Sequence, residues 1–109
     1  MQPDEKRAAR TEWKERKDPA GIYAMRGAAG AWVGYATDVP AAQNKLDFTL
    51  RMGSARPMTL QSAWTAAQGR GFVFELLESV PQDMPQVARP RWGKDRRALW
   101  AARLGAALI

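Results

Sequence analysis

Residues 21–36 read GIYAMRGAAGAWVGYA, and no other stretch limits the fold as strongly. Two short apolar runs, IYAMR and AWVGYA, are separated by GAAG. Runs of this length that carry aromatic rings and are bounded by glycine predict strands. The small residues between them tolerate unusual backbone angles, so the pair predicts a β-hairpin. Each strand carries a ring, Tyr23 and Trp32. Periodicity alone leaves open whether these rings fill a core or face a site.

The rest of the chain supplies what would pack on the hairpin. Residues 1–18 predict a charged N-terminal helix, with acids early and bases late as the macrodipole favours. DPAG at 18–21 breaks it, and 19–109 is expected to form a single domain. TDVP predicts a helix start, with Thr37 or Asp38 as cap and Pro40 in the first turn. Val39, Ala42, Leu46, Thr49 and Leu50 share one face, and Gly53 ends the segment, giving a helix over 38–52. Leu60, Ala63, Trp64 and Ala67 give a second over 58–68. FVFELLESV predicts a strand over 72–79 with Phe72, Phe74 and Leu76 on one face and Val73 and Leu77 on the other. Both faces are apolar, so both are expected to be covered. Glu75 and Glu78 are expected to be exposed strand-face carboxylates. A last helix over 91–105 turns Trp92, Leu99, Trp100 and Leu104 inward and its bases outward, and the tail ALWAARLGAALI is expected to be the end of that helix packed on the domain. The expected fold is α+β, in the order α-β-β-α-α-β-α. Its small three-stranded, mainly antiparallel sheet is flanked by helices.

Composition removes whole classes of chemistry. The 109 residues contain no cysteine and no histidine. Disulfides, thiolate metal sites and imidazole-based triads are excluded. Catalysis would fall to Tyr, carboxylates, Lys, Arg or a hydrated metal ion. The absence of cysteine fits a reducing compartment, no signal peptide is visible, and no run approaches the roughly 20 apolar residues of a membrane span. A cytoplasmic location is therefore expected. The net charge of +6 is uneven: residues 89–109 hold Arg89, Arg91, Lys94, Arg96, Arg97 and Arg103 against Asp95 alone. Such a patch is the footprint of a polyanion binder. On charge alone, a solvated helix face is an equally good account.

Four segments in order give a resemblance. GIY is followed after nine residues by VGYA and a capped helix. Then come G-S-x-x-P-x-x-L-Q-x-A-W at 53–64 and F-x-F-E-L-L-E at 72–78. The chain resembles the GIY-YIG nuclease superfamily, and more closely its small stand-alone bacterial members, in which a charged helix ending ERK precedes GIY. The resemblance runs from residue 5 to about residue 104. It implies an endonuclease that hydrolyses phosphodiesters with a divalent cation, Mg2+ or Mn2+. It also implies a nucleic-acid partner, with DNA expected ahead of RNA and the choice between them left open by the sequence. The chemistry is consistent with a chain lacking histidine. An activated water and charge stabilisation at the phosphate oxygens are required, and a mostly hydrated Mg2+ needs only one or two protein carboxylates.

The resemblance also assigns roles. Tyr23 matches the tyrosine of GIY, and Gly34 the glycine of YIG. Trp32 stands where YIG normally has its tyrosine; an indole donates one hydrogen bond and accepts no proton. Ala42 occupies the position of the family's phosphate-steadying arginine, and Lys45, one turn on, is the candidate cation. KDRRALWAARLG resembles the family's K-E-R-x-x-x-W-x-x-R-L-G, which places Asp95 at the metal-ligand position; an ion pair with a neighbouring base is the plainer alternative. The expected catalytic set is thus Tyr23, Lys45 and Trp32, the metal ligand is Asp95, and Arg89, Arg91, Lys94, Arg96 and Arg97 are expected to bind nucleic acid. Two functions follow. One is a nuclease of degenerate site and weak activity, and the other is a non-catalytic nucleic-acid-binding module that keeps the fold and the basic helix.

Overall fold

The computed structural model describes residues 19–109; the charged helix expected over 1–18 lies outside the described residues. The hairpin is formed by β1 (Gly21–Gly27) and β2 (Gly30–Ala36), paired antiparallel from Gly21↔Ala36 to Gly27↔Gly30. The turn is therefore only Ala28–Ala29, shorter than the GAAG loop expected. Two helices follow, α1 (Val39–Met52) and α2 (Met58–Ala67). The Asp38 side chain accepts from the Ala41 N–H at 3.0 Å, and Gly53 ends α1 in the left-handed conformation, as the sequence predicts. After β3 (Val73–Ser79) a short 3-10 turn at Gln86–Ala88 leads into α3 (Arg89–Leu104). That helix starts two residues earlier than expected. Pro90 sits in its first turn, where no amide hydrogen is needed.

The sheet corrects the sequence reading. It has four strands, not three, and it is mixed: with β4 (Ala107–Leu108) the order is β3-β1-β2-β4. Gly105, with φ of 62°, stops α3, and the tail expected to be helical returns to the sheet. Ala107–Leu108 form β4, parallel to Trp32 and Val33 of β2. Among the described residues no helix is long and apolar enough to cross a membrane.

β1 lies in the middle, and the run Gly21–Met25 is buried throughout. Alternation sends Tyr23 and Met25 to one face and Ile22 and Ala24 to the other. On the first face they join Trp32, Val39, Leu46, Leu50 and Leu60 under α1 and α2. On the second face Ile22, Ala24 and Val33 meet Ala101, Trp92, Trp100 and Leu104 of α3. Gly93 is what lets α3 approach: a Cβ there would lie 2.5 Å from Cγ of Tyr35, whose ring meets Trp92 edge-on at 6.1 Å.

Strict alternation fails once, in β3. Ile22 pairs with Glu78 but Tyr23 pairs with Leu76, so Leu77 is an extra residue in a β-bulge. Without it Glu78 would share a face with Phe74 and Leu76. The bulge turns Glu78 to the α3 side, where it is not the exposed carboxylate expected. Its Oε1 accepts from Arg96 Nε at 2.7 Å and from Trp100 Nε1 at 3.0 Å. Burial works against the charge of Glu78. The hydrogen bonds of Arg96 and Trp100 and the charges of Arg96 and Arg103 outweigh it and hold the carboxyl below its ordinary value of 4.5. Glu75, by contrast, pairs with Arg26 at the rim.

Two expectations follow for stability. Gly93→Ala, which in a free helix would stabilise by about 1 kcal/mol, is expected to destabilise, because overpacking against Tyr35 costs about 1–3 kcal/mol. The urea midpoint at neutral pH reads this, and a higher midpoint would refute so close an approach of α3. Because the folded state depresses the Glu78 pKa, its contribution is present above 4.5 and is lost as pH falls through the lower folded value. Glu78→Gln should weaken the fold at pH 7 by about 1–3 kcal/mol. It should also flatten the decline of stability between pH 5 and pH 3, measured by denaturant titration at each pH.

Candidate functional site

Tyr23 is held on three sides. Its ring stacks on Phe74 at 5.0 Å, Leu76 and Gly34 are its neighbours in the sheet, and it is 7% exposed. The ring crosses Gly34 so closely that a Cβ there would lie 2.6 Å from the phenol oxygen. Gly34 is thus required by the position of Tyr23. The hydroxyl is carried across β2 toward the edge where β4 and Ile109 lie, since the Ile109 N–H donates to the Val33 carbonyl at 2.8 Å.

Trp32 is buried at 5% and stacks on Phe72 at 6.3 Å. Its one N–H donates to Thr59 Oγ1 at 3.1 Å, in the first turn of α2. The indole expected in the catalytic set thus ties β2 to α2. Ala42, at the family's arginine position, packs against the same core. Lys45 is exposed on the flank of α1. Gln61, unremarked in the sequence, is the buried polar hub beside this core. It accepts from the Ala55 N–H at 2.9 Å and donates to the Leu50 carbonyl at 3.1 Å and to Thr65 Oγ1 at 3.0 Å. It thereby closes the C-terminal end of α1 onto the loop before α2.

The bases of α3 do not form one surface. Arg89 donates to the Met84 carbonyl at 3.2 and 3.3 Å, and Arg96 is held by Glu78. Arg91 and Lys94 remain on the outer side, where they line a shallow depression with Pro90 and Asp95. Asp95 is among them, its carboxylate 68% exposed and 3.9 Å from Arg91 Nε. Tyr23 lies on the opposite face of the sheet from the α3 core that carries Asp95, whereas Lys45 belongs to α1, which packs on the same face as Tyr23. The ion-pair account fits the position of Asp95.

The charged group that does reach the Tyr23 region is Arg97. It lies in one helical row with Gly93 and Ala101, the buried residues of α3. Those small side chains leave room for its stem. The guanidinium passes round the β2 edge, where Nη1 donates to the Ile109 oxygen at 3.1 Å and Nε is buried without a partner. Burial raises the Tyr23 pKa above 10.0, and the charge of Arg97 pulls it part of the way back. At neutral pH the phenol keeps its proton. Among the described residues no three His, Cys, Asp or Glu side chains converge on a point that would hold a metal ion. Asp95, the acid expected to hold Mg2+ or Mn2+, lies at the outer surface of α3 beside Arg91. The row Gly93–Arg97–Ala101 was the available sequence signal for Arg97, masked by its membership in a basic run.

In comparison with known proteins, no family model and no curated protein matches the chain. Among solved structures it is similar to the catalytic domain of homing endonuclease I-TevI. The TM-score is 0.67 at 22% sequence identity, over 83% of this chain and 97% of that one. The likeness establishes a GIY-YIG-like fold.

The phenol yields a direct measurement. A raised pKa means that the fold favours neutral Tyr23, so its contribution to stability is whole below pH 10 and is lost as pH rises through the folded value. The alkaline phenolate absorbance of the protein, less that of Tyr23→Phe, should titrate above pH 10, and Arg97→Gln should move it higher still. A midpoint at or below 10 would show that Tyr23 is solvated.

Proposed function

We propose that this chain is a nucleic-acid-binding module on a GIY-YIG-like fold that holds a polyanion, DNA before RNA, without cutting it. The observation that carries this is the sign of the charge at Tyr23. Arg97, a cation, stands there, while the acid expected to bind metal lies at the outer surface beside Arg91. A cation at that place favours an anionic partner. Arg91 and Lys94 extend the positive surface on the outside of the same helix. Phosphate contacts of this kind give affinity with little sequence preference and a strong salt dependence.

The second reading is a working endonuclease, and the likeness to a homing-endonuclease catalytic domain favours it. It would need Tyr23, Lys45 and Asp95 to act together on a metal-bound substrate.

One experiment separates them. Purified protein is incubated with supercoiled plasmid in Mg2+ or Mn2+, and its affinity for a labelled duplex is measured in EDTA at rising salt. Binding that weakens with salt, and no nicking with either metal, is expected. Nicking that disappears in both Tyr23→Phe and Asp95→Asn would establish the nuclease. No binding to any nucleic acid at low salt would defeat both.

A further inference from the structure

We propose that the outer face of α1 is a binding site for an unpaired nucleobase of a single strand, stacked on Phe48 and flanked by Lys45 and Arg51. This rests on the nucleic-acid reading above, but it uses the helix on the other face of the sheet from α3. α1 meets the needs of the fold with a different row of residues, since Val39, Leu46 and Leu50 are the ones buried in the core. Phe48 is left 64% exposed and Met52 66% exposed. They lie one turn apart, so their side chains form one apolar strip. Met58, also exposed, opens α2 beside the end of α1, because Gln61, one turn further on, donates to the Leu50 carbonyl at 3.1 Å. A ring and two polarisable thioethers gathered in this way are more than the single apolar residues scattered over any surface.

The charges around the strip select its occupant. Lys45 stands one turn before Phe48 and Arg51 one turn after it, all three exposed. Arg51 Nη2 lies 2.9 Å from Asp47, which holds the guanidinium on the helix surface. The loop to α2 adds Arg56, also exposed. The acids of residues 38–58 are Asp38 and Asp47, and both are engaged: the first caps α1 through the Ala41 N–H and the second holds Arg51. Lys45 and Arg56 are left without an acid partner among the described residues. A ring with cations on either side fits a flat base whose phosphates pass along both flanks, the ring supplying the stack and the cations the charge. The base must be unpaired, because a paired one keeps its faces against its neighbours in the duplex. A second copy of this chain fits less well, since a two-fold contact would crowd both sets of cations round one apolar strip. A lipid surface calls for a wider apolar face than this strip, which Asn44 and Asp47 border.

The test measures the fluorescence anisotropy of a labelled oligothymidylate and of a labelled duplex, both in EDTA, with the full chain and its Phe48→Ala, Phe48→Leu and Lys45→Gln variants. Sedimentation of the free proteins and binding to vesicles of anionic lipid accompany it. Phe48→Ala should weaken oligothymidylate binding roughly tenfold, the loss of one stacked base, and leave duplex affinity unchanged. Phe48→Leu, apolar but without the ring, should lose nearly as much. Lys45→Gln should reduce the slope of log affinity against log salt for the single strand by about 0.7. Both positions are exposed, so the urea midpoints should stay at the wild-type value and separate lost binding from lost folding. Wild-type oligothymidylate affinity in Phe48→Ala, or full affinity in Phe48→Leu, would overturn the stacking site. So would a dimer that Phe48→Ala dissociates, or vesicle binding without oligothymidylate binding. A chain that binds duplex and ignores the single strand would overturn this site and leave the binding module standing. A chain that binds the single strand through Phe48 and ignores duplex would support the site and narrow the module to single strands. No binding to either would overturn both.

Discussion

Everything in this domain is arranged around one strand buried on both sides. β1 has a strand on each edge and helices over each face, so Gly21 through Met25 must all be small or apolar. A strand so enclosed has no room for error in register, because a slip of one residue exchanges the two faces. Tyr23 is the exception that the strand admits. Its ring belongs to the core and its oxygen does not, and the only exit for that oxygen is across β2. Gly34 supplies the gap. Two adjacent strands thus fix where a single polar atom emerges, and that atom defines the candidate site.

The bulge at Leu77 does comparable work for the other face. Six of the 16 residues of helix α3 are basic, and a basic helix laid on an apolar sheet needs an anchor at its edge. A regular β3 would send Glu78 to the wrong side. With one residue inserted, Glu78 faces Arg96 and Trp100 instead, and both its hydrogen bonds are satisfied from the helix. Buried or half-buried acids are stable when paired in this way and are costly when not. α3 is therefore tied at one flank by Glu78 through Arg96 and at the other by the Ile109 oxygen through Arg97. Two of the five bases that look like one binding face thus also fasten the helix.

Local signals made most of the fold legible. Asp38, Pro40 and Gly53 announced α1, and glycines bracketed the hairpin. The alternation of Phe72, Phe74 and Leu76 identified β3 and its core face. What escaped were features decided by non-local pairing. A two-residue parallel strand at Ala107–Leu108 has no pattern of its own; it exists because β2 offers an open edge. The bulge is invisible in FELLESV because either phase of alternation reads as apolar. At the site, Tyr23, Gly34 and the departures at Trp32 and Ala42 were all readable from the motif. Asp95 was chosen because KDRRALWAARLG matches the family's segment, and a match of that kind says nothing about the direction of the side chain. The helical row Gly93–Arg97–Ala101 does speak to direction, and it points Arg97 inward.

An arginine in that row is a physical oddity that needs an account. Its stem can lie along apolar surface without loss, since three methylenes prefer such contact. Its head cannot. Nη1 has the Ile109 oxygen, but a buried Nε without a partner forfeits roughly 1–3 kcal/mol. A methionine at 97 would avoid that penalty and still fill the space between Gly93 and Ala101. It would also lose the tie that Nη1 makes to the Ile109 oxygen, and Ile109 in turn is bonded to Val33 of β2. One unmet donor is thus the cost of fastening α3 to the segment that closes the sheet.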